Sequence, residues 1–426
     1  MVMPDSLAFS ELGTTGLKRS SGYITANALR ELQGNRGRKT FLEMSEVDPV
    51  LGALLFTVDM LMRQVRWQVV PSNKEDQRSV QIAEFVGSCL EDLHRPFKEV
   101  VSEVMSMLIY GWDTHEIVFK QRNGPTGLPP SMFSDARFGW DRFAPRSQLT
   151  LERWNIAPNG DILGWVQRAD EDFEERVLPI GKLLHFRTST KNNNPEGRSI
   201  LLNAYRPWYI KKNIENIQAI GIERDLAGLP TLYLPPEYLV EDASPERKAL
   251  LAQMKQMLRN IRRDEQEGVI IPRMYDPETK QPLIELVLLS TGGRRQFDTK
   301  AIIQYYDARM AMTAMADFIL LGHEIHGSFS LADNKTALLA TALGSYMDVI
   351  GDQFNRKAIP QLLLINGLPL ELRPQMVHGD VESPDLGILG TFIQQLAGAG
   401  FVFGEDQDLE NYLRRAAGVP ERERNA

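Results

Sequence analysis

The sequence predicts an α+β chain, and three observations carry that prediction. Apolar residues recur at helical spacing up to about Tyr110, strand-like alternation takes over from Met132 to Thr188, and two long helical stretches then bracket a short α/β segment. With 426 residues, 43% hydrophobic and 24% charged, the chain can bury one or more sizeable cores, and its length suggests two or three domains. The formal net charge of −8, from 48 basic and 56 acidic residues, disfavours a protein that grips a phosphate backbone tightly. A single cysteine excludes an internal disulfide framework. The N-terminus lacks the basic and apolar regions of a secretory signal, and no apolar run reaches the roughly 18 to 20 residues that span a bilayer. The expected compartment is a cytoplasm.

The first forty residues carry scattered Gly, Ser and Thr and the basic run GNRGRK (34–39), which reads as an arm. Structure is expected to begin near SEVDPVLGALLFTVDMLMRQV, where Asp48 is a good N-cap, Pro49 suits the first helical position, and Leu51, Leu54, Val58 and Met62 share a face. A short strand, RWQVVP, leads to a helix from about Asp76 to Leu93 whose apolar face includes Cys89, read as a core filler because no base lies nearby. A further helix over Phe97 to Tyr110 stops at Gly111 and feeds the strand THEIVFK. In the alternating region, LERWNI and ILGWVQ flank Pro158-Asn159-Gly160-Asp161, a hairpin turn signal, and KLLHFRT supplies another strand. His115 and His185 fall on strands, where hydrogen-bonded structural histidines are expected, and Trp140, Trp154 and Trp165 read as sheet packing.

After the polar stretch STKNNNPEGR, a long helix is expected from Ser199 to Ala227, with Pro207 dividing it near its start. A βαββ unit follows, and Asp298 caps a second long helix to Leu321. At 1.5 Å per residue each would be about 35 to 40 Å long. Two such helices carrying a small module at their far end suit packing against neighbours better than a solitary monomer. Their apolar residues, including Met310, Met312 and Met315, spread beyond one narrow stripe. A capping box at Ser330 and Asp333 then opens another helix, to about Ala358. LPLELRPQMVH reads as extended, and two short helices close the chain.

Little of this points to catalysis. The segment GHEIHGSFSLADN (322–334) holds His323, Glu324 and His326, but the histidines are three apart rather than four, glycines flank them, and a third ligand would have to come from elsewhere. Phosphate-loop, dinucleotide and nucleophile-elbow motifs are absent from the sequence, and the acids 170–175 read as a solvated turn. No catalytic activity, metal or cofactor is expected. Two rival readings remain at this point: a cytosolic metal-dependent hydrolase using His323, Glu324 and His326, and a non-specific nucleic-acid-binding protein using the basic N-terminal arm and the helix bearing Lys255 and Arg259.

The order of elements, with the phrases MLIYGWDTHEIVFK, KLLHFRT, PEGRSIL, ERDLAGLPTLYLP and EGVIIP in sequence, resembles the portal proteins of tailed double-stranded DNA bacteriophages, in their Mu-like branch, over about residues 40–420. That resemblance implies a ring of about a dozen copies at one capsid vertex. It further implies a channel through which terminase packages DNA and the genome later leaves, and a docking platform for head-completion and tail proteins. Segment by segment it implies a wing (40–198) after the arm (1–39), stem helices (199–228 and 298–321), a clip (229–297) and a tunnel loop (322–334). A long helix returning to the wing (335–374) and a short helical crown (375–426) complete the layout. Tunnel-loop residues would be His323, Glu324, His326, Ser328, Phe329 and Ser330, with no Lys or Arg to hold DNA. Lys255, Arg259, Arg262 and Arg263 would either dock terminase or form a solvated face balanced by Asp264, Glu265 and Glu267. The implied partners are copies of itself, the terminase large subunit, capsid or scaffold protein, a head-completion adaptor and passing duplex DNA. The implied location is the virion's portal vertex after assembly in the host bacterial cytoplasm, with no membrane.

Overall fold

A computed structural model describes residues 11, 13–169, 173–227, 229–240, 244–261, 285–289, 298–313 and 329–379. The chain divides into two compact units, one built from residues up to Tyr205 and from Met310 onward, the other from Arg206–Arg309. Among the described residues no helix is long and apolar enough to cross a membrane.

The larger unit opens on a small hairpin, β1 (Arg19–Ser20) and β2 (Tyr23–Ile24), followed by α1 (Gly34–Val47) and α2 (Pro49–Gln64). The expectation of a loose arm over residues 1–39 fails for its described part. Leu17 and Ile24 pack into a tryptophan cluster, and Gly22 O accepts from Trp154 N at 2.9 Å. The run GNRGRK forms the first turns of α1, where Arg38 is buried, donates to Leu151 O at 2.9 Å and lies 3.6 Å from Glu196. A buried arginine needs such partners, and those partners sit more than a hundred residues away, so local composition could not reveal them. Asp48 caps α2 as expected, accepting from Val50 N at 3.0 Å and Leu51 N at 3.1 Å with Pro49 at the first turn.

Then come β3 (Trp67–Val70), α3 (Gln77–Glu91), α4 (Phe97–Val104) and α5 (Ser106–Tyr110). The helix expected over 97–110 is thus broken at Met105. Gly111, at φ 93°, ends α5, and a Cβ there would stand 2.4 Å from Glu196 O, so only glycine fits. Five strands follow: β4 (Trp112–Gln121), β5 (Phe138–Pro145), β6 (Leu151–Ile156), β7 (Ile162–Arg168) and β8 (Glu175–Pro179). With β9 (Leu183–Arg187) they make two antiparallel three-stranded sheets, ordered β5-β4-β9 and β6-β7-β8. The predicted hairpin is present: Trp154 faces Trp165 across β6 and β7, and Gly160 turns at φ 101°. Trp112 gathers both tryptophans, its ring 4.8 Å from Trp154 and 5.9 Å from Trp165, which confirms sheet packing.

The smaller unit holds most of α6 (Tyr205–Ala227), then β10 (Leu229–Tyr233), α7 (Pro245–Ile261), β11 (Glu285–Leu289) and most of α8 (Thr299–Thr313). A 3-10 turn, Ile200–Ala204, replaces the predicted start of the long helix, and Pro207 is tolerated in the first turn of α6, where its missing N–H costs no bond. Asp298 caps α8 as predicted, accepting from Ala301 N at 3.1 Å. β10 pairs antiparallel with β11, Leu229 facing Leu289. The strand expected at GVIIP lies outside the described residues.

Back in the larger unit, α9 (Phe329–Gln353) runs into a π-helical turn (Phe354–Ala358), then α10 (Ile359–Ile365) and β12 (Gln375–His378). The helix therefore passes Ala358, with Pro360 at the start of α10 where the wider π turn has already broken the regular bonding. β12 pairs with β3, Met376 opposite Val69, which contradicts a crown beginning at 375: those residues close a sheet of the larger unit. The main core joins α2 to α5, the β4 sheet and α9 to α10, with Phe354, Met347 and Leu362 fully enclosed.

Candidate functional site

The smaller unit holds the candidate assembly surface. α6 spans 23 residues, about 35 Å long as predicted. The described part of the second long helix, Thr299–Thr313, is shorter, and residues 314–321 lie outside the described residues. Lys211 near the start of α6 reaches Asp307 near the end of α8 at 2.6 Å, while β10 and β11 join the opposite ends. The two helices therefore run antiparallel within this unit. Lys211 is only 3% exposed in its side chain, so its ammonium depends on that carboxylate and on Glu215 at 3.9 Å.

α6 exposes three large apolar side chains among its polar ones, which include Arg206, Asn213 and Asn216. Tyr209, Ile217 and Ile220 are 52%, 65% and 49% exposed, and their spacing puts them on one face of the helix. Tyr305 on α8 is 56% exposed. Long helices with large apolar side chains in water are surfaces that partners cover.

In the α/β module, Met254 on α7 is buried, and Arg247 stacks over the Tyr238 ring at 5.6 Å. Lys255, one of the basic residues singled out in sequence, is exposed on α7. Arg259 is on the same helix, whereas Arg262 and Arg263 lie outside the described residues.

His323, Glu324, His326 and Ser328 also lie outside the described residues. α9 begins at Phe329, so Phe329 and Ser330 belong to a helix and the expected loop 322–334 ends earlier than its sequence suggests. Ser330 is not the cap. Ser330 and Asp333 keep the capping-box spacing in sequence, yet both fall inside α9.

His185, His115 and Cys89, all buried, serve structure. His185 Nε2 donates to Pro195 O at 2.8 Å, and burial, aided by the Arg187 cation, pushes its pKa down to about 3. His115 is enclosed between Asp113, 2.7 Å from Nε2, and Phe143 O, 3.2 Å from Nδ1. Burial opposes its charge, but the Asp113 carboxylate outweighs that and holds the pKa above the usual histidine value. Burial also pushes the Cys89 thiol up to about 11, which suits a core filler rather than a nucleophile. Among the described residues no cluster of histidine, cysteine and carboxylate side chains could hold a metal ion. Sequence reading missed the Lys211–Asp307 pair. Nearly a hundred residues separate its members, and no local pattern connects them.

Residues 39–419 match the family model described as the portal protein of Mu bacteriophage, and the chain belongs to that family. It is a phage portal protein. The hydrolase and nucleic-acid-binding readings find no support in this membership. Solved structures similar to this chain include one titled "Virion of native gene transfer agent (GTA) particle", at 11% identity and TM-score 0.49, covering 95% of this chain and 97% of that one. Another is titled "Neck of native GTA particle computed with C12 symmetry", at 10% identity and TM-score 0.47, covering 90% and 94%.

Proposed function

We propose that copies of this chain close into a ring of about a dozen at one capsid vertex, enclosing the channel by which terminase packages DNA and the genome leaves. The observation that carries this reading is the set of large apolar side chains that α6 exposes on one side, Tyr209, Ile217 and Ile220. In a head-to-tail ring each copy offers one flank to the next, and that face is what a sister chain would cover.

In this assignment residues 40–198 form the wing, 199–228 and 298–321 the stem, 229–297 the clip and 322–334 the tunnel loop, followed by the return helix and a crown beyond β12. The mechanism is geometric, with no catalytic step. A ring multiplies every channel-lining residue by the copy number, so one lysine per loop would make a basic collar that holds DNA through counterion release. The sequence from Gly322 to Asn334 has neither Lys nor Arg. With His323, His326, Ser328, Phe329 and Ser330 in place of lysine or arginine, the loop lets the duplex slide. Lys255, with Arg259, Arg262 and Arg263, forms the terminase-docking face of the clip. Capsid or scaffold protein and a head-completion adaptor bind elsewhere on the ring, which is assembled in the host cytoplasm and remains in the virion.

Sedimentation velocity on the full chain tests the contact. The wild type should sediment as a large closed oligomer, and Ile217→Asp with Ile220→Asp as a monomer with an unchanged circular dichroism spectrum, since both side chains are already in water. A variant that still forms the large species would remove this face from the interface.

A further inference from the structure

The larger unit carries a cleft of about 390 Å³ between the α3–α4 connection and β5. Leu93, Val100 and Phe143 make its floor, and Arg95, Arg142 and Arg146 stand round it. Glu103 is the one carboxylate in the lining. A chain with a formal charge of −8 thus concentrates three guanidiniums beside an apolar hollow.

The three arginines are not held alike. Arg146 is fixed: its Nε donates to Glu116 at 3.2 Å, and Lys182 donates to the other oxygen of that carboxylate at 3.0 Å. Arg95 and Arg142 are 61% and 58% exposed in their side chains and pair with Glu103 at 3.0 Å and Asp141 at 3.4 Å. Their carboxylate partners are less exposed, Asp141 being buried, but a guanidinium has five N–H donors, so an arriving carboxylate can use the outward ones while these pairs stay in place. The cleft walls are firm beneath them, because His94 N donates to Asp141 O at 2.8 Å and ties the connection to β5.

We propose that this cleft docks an acidic segment of a partner protein that carries an apolar anchor side chain. Guanidiniums match carboxylates with two parallel hydrogen bonds, and the floor accepts a leucine-sized group. Duplex DNA would satisfy the arginines but leave the apolar floor unused, and Glu103 opposes either polyanion alike. The cleft lies in the larger unit and the proposed stem contact in the smaller one, so separate variants test the two proposals.

The test is fluorescence anisotropy at low ionic strength with the full chain and a labelled peptide, Glu-Asp-Leu-Asp-Leu-Glu-Asp. Its amide version, Gln-Asn-Leu-Asn-Leu-Gln-Asn, its serine-for-leucine version and a labelled DNA duplex are run beside it. The acidic peptide should bind the wild type, and Arg95→Glu with Arg142→Glu should weaken it at least about tenfold. The amide and serine versions should each bind less well. Both arginines are exposed, and an unchanged circular dichroism spectrum would confirm that the variant folds. The proposal is overturned if the wild type does not bind the peptide, if the double variant binds it equally, if the serine version binds as well, or if the duplex is the better ligand by the same arginines.

Discussion

Lys211 Nζ lies 2.6 Å from a carboxylate oxygen of Asp307, and this pair ties the start of α6 to the end of α8. Taking away one member of a buried pair leaves the other desolvated, and Glu215 at 3.9 Å is a poorer partner. Asp307→Ala should destabilise the smaller unit by about 2–4 kcal/mol, read from hydrogen exchange in residues 206–309. Lys211→Met combined with Asp307→Leu should recover most of that loss. A change no larger than that of an exposed pair would mean the lysine is solvated.

Phe354 sits in the π turn with its ring 5.2 Å from Phe97 and 4.9 Å from Phe143, wholly enclosed. Phe354→Ala removes a buried aromatic that joins α4, β5 and the end of α9, and should cost about 3–5 kcal/mol in urea unfolding. Phe354→Leu, which refills most of the volume, should cost clearly less. Equal losses would show that the aromatic edge contacts, rather than the filled space, set the stability.

The two buried histidines predict opposite pH dependences. His185 takes up a proton near pH 6.5 when unfolded and only at about 3 when folded, so the unfolded state binds more protons between those values. Its contribution is present above pH 6.5 and is lost as pH falls towards 3, by up to about 1.4 kcal/mol per pH unit. His115, held above its usual value by Asp113, contributes below pH 6.5 and loses that contribution as pH rises through its folded value. His185→Gln, which can still donate to Pro195 O, should narrow the difference between urea midpoints at pH 7 and pH 5. An unchanged difference would refute a neutral, buried His185.

Helices and strands with strong periodic signals were legible because their cues are local. The Asp48 and Asp298 caps, the Pro158 to Asp161 turn and the Gly111 stop each rest on residues within a turn of one another. What could not be read depends on distant partners. Arg38 looked like part of a basic arm because Glu196 and Leu151 O, which bury it, are remote in sequence. β12 looked like the start of a separate crown because its pairing with β3 spans about three hundred residues. The arginine cleft was invisible for the same reason: Arg95 and Arg142 meet because the α3–α4 connection packs on β5, with His94 N donating to Asp141 O. At the site itself, the apolar excess of the first long helix was legible, whereas the loop's end was not, because the Ser330 to Asp333 spacing imitates a capping box although both residues fall inside α9.

The central claim, that this chain works as a ring around a DNA channel, is tested most directly by electron microscopy of the purified full-length protein. Annular particles with a central hole wide enough for duplex DNA are predicted, with the Arg206–Arg309 unit of each copy against its neighbour. Particles that remain compact monomers, even when capsid and scaffold proteins are present, would contradict the account.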